Sequence, residues 1–79
     1  MKIRLLYFGI ISEVMGENTQ TLDVKEQTNV AQLLDELKSK HPALKNHKFT
    51  IAVNKKISEH ETILNNEDEM ALLPPFSGG

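Results

Sequence analysis

The sequence predicts an α+β domain in which a sheet of four to five strands packs on one main helix and ends in an extended Gly-Gly tail. Three observations predict it. Short runs of alternating apolar residues at 2–8, 19–24 and 49–54 have the two-residue period of strands. A single apolar stripe at Val30, Leu33, Leu34 and Leu37 has the period of a helix. Pro74-Pro75-Phe76-Ser77-Gly78-Gly79 fits neither period, so residues 1–79 divide into a globular body, 1–73, and a flexible functional tail, 74–79.

From Lys2 to Phe8, Ile3, Leu5 and Tyr7 share one face and Arg4, Leu6 and Phe8 the other, so a strand with apolar residues on both faces is expected inside the sheet. Gly9 breaks it. Ile11 to Met15 suits one helical turn, and Gly16-Glu17-Asn18 a turn. Thr19 to Val24 alternates, with Leu22 and Val24 on one side and Thr21 and Asp23 on the other, as in a half-buried outer strand.

The main helix spans about Asn29 to Lys40, with Gln32, Asp35, Glu36 and Lys38 facing water. Thr28 or Asn29 caps its start, Asn29 having Gln32 three residues on, and His41-Pro42 ends it because the residue before proline avoids helical geometry. Phe49, Ile51 and Val53 share a face of the third strand, and Asn54-Lys55-Lys56 turns the chain. Ile57 begins a short return strand, and Ile63 and Leu64 anchor the next segment to the core. Asn65-Asn66-Glu67-Asp68 turns again, and Met70 to Leu73 forms the last strand.

At 79 residues there is room for one core and no second domain. A net charge of −2 offers no basic excess for neutralising phosphates, which excludes ordinary nucleic-acid binding. Met1 to Ile11 has the charge-then-apolar order of a signal peptide, but Ser12-Glu13 follows and no small-residue cleavage site appears. No run is long enough to span a bilayer, so a cytoplasmic protein without membrane contact is expected. The absence of cysteine removes disulfides and side-chain thiolates. His41, His47 and His60 lack metal-ligand spacing, and solvated positions are expected for all of them.

Charge is segregated along the chain. Lys38, Lys40, Lys45, Lys48, Lys55 and Lys56 fall in a stretch without an acid, and Glu59, Glu61, Glu67, Asp68 and Glu69 in the next stretch without a base. Such blocks are read either as solvated surface or as the place where a partner docks electrostatically.

The tail carries the chemistry. Pro74 and Pro75 fix φ and stiffen the exit, while Gly78 and Gly79 give the slimmest backbone available before the α-carboxylate. Extended at about 3.3 to 3.6 Å per residue, the segment from Leu73 to Gly79 reaches roughly 20 Å, enough to enter a tunnel in another protein. A frayed linker-like end is the alternative reading of the same residues.

Leu6-Tyr7-Phe8, the Val30 to Leu37 helix, Ala52-Val53-Asn54, Asp68-Glu69-Met70-Ala71 and Pro74 to Gly79 together resemble a known family. The order of elements resembles the ubiquitin-like β-grasp fold, with its mixed sheet. Within that fold the chain is most similar to the small, sulfur-carrier subunits of molybdopterin synthase. The resemblance implies that Gly79 is adenylated with ATP by a ubiquitin-activating-type adenylyltransferase and converted to a thiocarboxylate with sulfur from a donor protein. It further implies that Pro74, Pro75, Phe76, Ser77 and Gly78 enter the large subunit, where the sulfur reaches a pterin precursor. No bound cofactor, a heterotetramer around a dimeric large subunit, and catalytic residues supplied by that large subunit are expected on the same ground. The family's turn before the last strand commonly holds Asp-Gly. Here it reads Asn66-Glu67, a departure from the family, and Asn65 or Asn66 is expected to take the left-handed conformation instead. Phe76 stands where a smaller apolar residue is common. Outer-face apolar residues are docking candidates, whereas Leu72 and Leu73 suit core packing equally well. Thiamin thiazole or tRNA thiolation, and a ubiquitin-like modifier conjugated through Gly79, use the same end chemistry. A plain interaction domain is the reading outside this class.

Overall fold

A computed structural model describes residues 1–75. The chain runs β1 (Lys2–Tyr7), α1 (Ile10–Met15), β2 (Thr19–Asp23), α2 (Val30–Lys40), a 3-10 helix (Pro42–Asn46), β3 (Thr50–Val53), β4 (Lys56–Ile57) and β5 (Glu69–Leu73). The five strands form one sheet in the order β2-β1-β5-β3-β4, parallel between β1 and β5 and antiparallel elsewhere. This is the mixed α+β arrangement expected, and β1 lies inside the sheet, as apolar residues on both its faces require.

Register explains the core. Leu5 pairs with Met70, and Tyr7 with Leu72, which in turn pairs with Ile51. These inward residues meet Val30, Leu33, Leu34 and Leu37 of α2 in a single buried cluster. Leu72 is fully buried and Leu73 half-buried, so the two leucines divide between core and outer face. The 3-10 helix, not expected from the sequence, adds buried Leu44.

Helix α2 is held at both ends. Asn29 and Gln32 form the reciprocal capping box, at 2.8 and 2.9 Å. The next free amides, Val30 N–H and Ala31 N–H, donate to the Thr62 and His60 carbonyls, so the segment before β5 is stitched across the helix start. His41 ends the helix, its N–H donating to the Leu37 carbonyl. Ile63 corrects the expected anchor. Its side chain is 45% exposed and the segment is fixed instead by an Asn29–Ile63 bridge and by buried Leu64.

Lys56 lies in β4, leaving Asn54-Lys55 as a two-residue hairpin loop. Both residues have positive φ, 50° and 71°, the geometry that suits strand twist. The turn before β5 differs from the expectation too: Glu67, with φ of 69°, takes the left-handed conformation in place of Asn65 or Asn66. Its neighbours explain why. Lys2 N–H, from the far end of the chain, donates to the Asn66 side chain, and Asp68 accepts the Asn65 N–H, so both asparagines are held by hydrogen bonds to other residues.

Candidate functional site

Strand β5 lies at the middle of the sheet, bonded on one side to β1 and on the other to β3. The chain therefore leaves the body from its most supported strand. Met70, Ala71 and Leu72 are buried, and Leu73 is the last residue of the ladder, opposite Thr50. Proline follows at once, and without an N–H it cannot extend the ladder.

Pro74 is half-buried and Pro75 exposed. The half-burial of Pro74 traces to Gly9, a residue that sequence reading treated only as a strand breaker. Gly9 has φ of 55°, and a Cβ built there would lie 3.0 Å from Pro74 Cγ. A side chain at this position would meet both backbone strain and the proline ring. Gly9 also begins α1, its carbonyl accepting the Ser12 hydroxyl at 2.8 Å. The β1–α1 corner thus fixes where the arm starts. Of the site residues expected from the sequence, Phe76, Ser77, Gly78 and Gly79 lie outside the described residues.

Beside this exit the sheet has an open face. Leu6 pairs with Ala71, Ala71 with Ala52, and Ala52 with Ile57, a cross-strand row opposite the helix. Ile57 is 71% exposed, and Phe8, on the same side by alternation with Tyr7, is 44% exposed. Ala52 and Ala71 in the middle are buried by their neighbours, so Leu6, Phe8 and Ile57 supply the shallow apolar surface. Its far end is polar, where exposed Arg4 and half-buried Glu69 form an ion pair at 3.7 Å.

A second cluster ties two separate stretches together. Asn54 Nδ2 donates to Asp68 Oδ1 at 2.9 Å, and Glu69 N–H donates to Asn54 Oδ1 at 3.0 Å. Ala52-Val53-Asn54 and Asp68-Glu69-Met70-Ala71 were notable as separate stretches, and they are one hydrogen-bonded unit that sets the start of β5. Among the described residues, no group of three His, Asp or Glu is placed to hold a metal.

Tyr7, under the sheet, donates its hydroxyl to Gln20 Oε1 at 2.8 Å. Burial pushes this phenol up to about 12, with the Glu17 charge adding to it. The group is structural: it stays protonated and in the core.

The family model described as the ThiS family matches residues 5–79. The chain belongs to the ThiS family. It is 35% identical to the molybdopterin synthase sulfur carrier subunit of Mycobacterium tuberculosis, over 100% of this chain and 99% of the relative. It is 33% identical to small archaeal modifier protein 1 of Haloferax volcanii, over 91% of this chain and 94% of that one. Among solved structures, subunits 1 and 2 of the molybdopterin-converting factor of Helicobacter pylori form a complex that contains a similar chain. The likeness has a TM-score of 0.72 and 26% identity, and covers 100% of both chains. The fold of this family is the ubiquitin-like β-grasp, and the described residues conform to it.

Proposed function

We propose that this chain is the sulfur-carrier subunit of a molybdopterin synthase. The observation that supports it most is likeness to such a subunit over the whole length, tail included. On this reading the Gly79 carboxylate attacks the α-phosphate of ATP in an activating enzyme, giving an acyl adenylate and releasing pyrophosphate. The terminal sulfur of a donor-protein persulfide then displaces AMP to give an acyl disulfide, and a thiol cleaves that S–S bond, releasing the thiocarboxylate and leaving the donor sulfur in a disulfide. The thiocarboxylate sulfur is anionic at neutral pH and therefore nucleophilic. Pro74 to Gly78 carry it into the large subunit, where it attacks the pterin precursor to give a thioester; water then cleaves the bond between sulfur and the Gly79 carbonyl carbon, leaving the sulfur on the pterin and returning the Gly79 carboxylate. Gly78 and Gly79 leave no side chain to misplace the sulfur, and an error of about 1 Å costs on the order of 100-fold in rate.

The body serves this chemistry by presentation. Strand β5 and the Gly9–Pro74 contact fix the root of the arm, and the open face from Leu6 to Ile57 gives the large subunit an apolar surface beside that root. A cytoplasmic location is part of this proposal. Among the described residues no helix is long and apolar enough to cross a membrane. A second reading, a modifier joined to lysine amines through Gly79, is favoured by the likeness to small archaeal modifier protein 1.

Intact-mass measurement of the protein from its native host, beside a form lacking Gly79, tests the proposal. The expected species is heavier by the exchange of one oxygen for one sulfur and is missing from the truncated form, which still folds. Recovery of the chain joined to lysines of other proteins, with no sulfur-bearing species, would replace the carrier reading with the modifier one.

A further inference from the structure

On the helix side of the sheet, between α2 and β3, a groove of about 350 Å³ has an apolar floor and a rim that carries two lysines and two histidines. Leu34, Phe49 and Ile51 form the floor; Lys38, His47, Lys48 and His60 form the rim. The sequence separates these groups by up to twenty-six residues, from Leu34 to His60. The fold brings them together. Lys38 Nζ stands 5.8 Å from the centroid of the Phe49 ring, so its ammonium is held over the aromatic floor by cation–π attraction.

The charge here is not cancelled within the molecule. No acid lines the groove, although Glu59 and Glu61 flank His60 in the chain. Among the described residues, Lys40 is paired with Glu36 at 3.5 Å, Glu69 with Arg4, and Asp68 is held by Asn54 and Asn65. Lys38 and Lys48 enter no ion pair among the described residues. A molecule of net charge −2 thus carries a local positive site around the half-buried Phe49 ring, with Leu34 and Ile51 buried beneath it.

We infer that this groove docks an acidic protein segment, with one apolar side chain against the edge of Phe49 that Lys38 leaves open and carboxylates on either side meeting Lys38 and Lys48. Charge complementarity argues for this occupant: a wholly apolar segment leaves the ammonium groups unmet, and an inorganic anion leaves the floor uncovered. The groove lies on the opposite side of the sheet from the open face. A partner held there leaves the tail and the Leu6–Ile57 surface available to a second protein. The inference does not depend on the chemistry of Gly79.

The test uses the full isotope-labelled chain and two synthetic peptides, one with a single leucine between flanking glutamates and one of glutamates only. Amide shifts confined to Lys38, His47, Lys48, Phe49 and His60 are expected, with tighter binding by the leucine peptide. Lys38→Glu with Lys48→Glu should weaken that binding on the order of tenfold. Lys55→Glu with Lys56→Glu, in the β3–β4 hairpin, should leave it nearly unchanged. The proposal is overturned by absence of binding, by equal weakening in both double variants, by equal affinity for the two peptides, or by shifts on the open face. Each of these results leaves the mass of the Gly79 species unaffected, so the two readings fail separately.

Discussion

Replacing Asn54 by alanine tests whether the start of β5 is held by one side chain. Two hydrogen bonds are lost, to Asp68 Oδ1 and from Glu69 N–H. Both are exposed, so about 0.5 kcal/mol each is the appropriate scale. Alanine must also adopt φ of 50°, where asparagine is tolerated and other side chains are disfavoured by roughly 1 to 2 kcal/mol. The sum is about 2 to 3 kcal/mol, against roughly 4 to 12 kcal/mol of total stability for a chain of this size. At about 4 to 8 °C per kcal/mol, the melting temperature should fall by on the order of 10 °C. Asn54→Gly separates the two contributions, because glycine loses the hydrogen bonds and keeps the conformation. Urea unfolding of the three proteins should place glycine between asparagine and alanine. A glycine variant as unstable as the alanine one would remove the backbone argument, and a cost below about 0.5 kcal/mol for alanine would remove the clamp altogether.

Two further variants probe the core. Leu33, fully buried on the core face of α2, should cost about 2 to 5 kcal/mol on truncation to alanine, measured by chemical unfolding; a cost well under 1 kcal/mol would mean the helix packs on another face. Tyr7→Phe should alter the alkaline limb of stability. The folded phenol is raised to about 12 from 10.0, so below pH 10 both states are protonated and the group adds no pH dependence. Between pH 10 and about 12 the unfolded chain ionises first, and the parent should lose about 2 to 3 kcal/mol that the phenylalanine variant does not lose. Parallel curves for the two proteins would contradict the raised value.

Periodic features were legible in the sequence. The stripe of α2 is buried residue for residue, its Asn29–Gln32 cap forms, and the inward set of β1 is the one alternation selects. What was not legible depends on contacts between distant residues. Ile63 looked like core by composition, yet its backbone is committed to Asn29 and its side chain faces out. Glu67 carries the left-handed turn because Asn65 and Asn66 are occupied elsewhere, and local propensity cannot register that. Gly9 matters through a proline sixty-five positions away. The lysine block read as one feature along the chain, but folding sorts it: Lys38 and Lys48 line one groove, whereas Lys55 and Lys56 sit in and just after the hairpin loop.

The placement of β5 has a mechanical consequence. Tension applied to the chain beyond Pro75 runs along a strand bonded on both flanks, to β1 in parallel and to β3 in antiparallel register. The ladder is then loaded in shear, with its hydrogen bonds resisting together instead of opening one after another from an edge. A partner that grips the arm and lets it go can pull against the body without unravelling it. An edge strand in the same role would resist with one ladder in place of two.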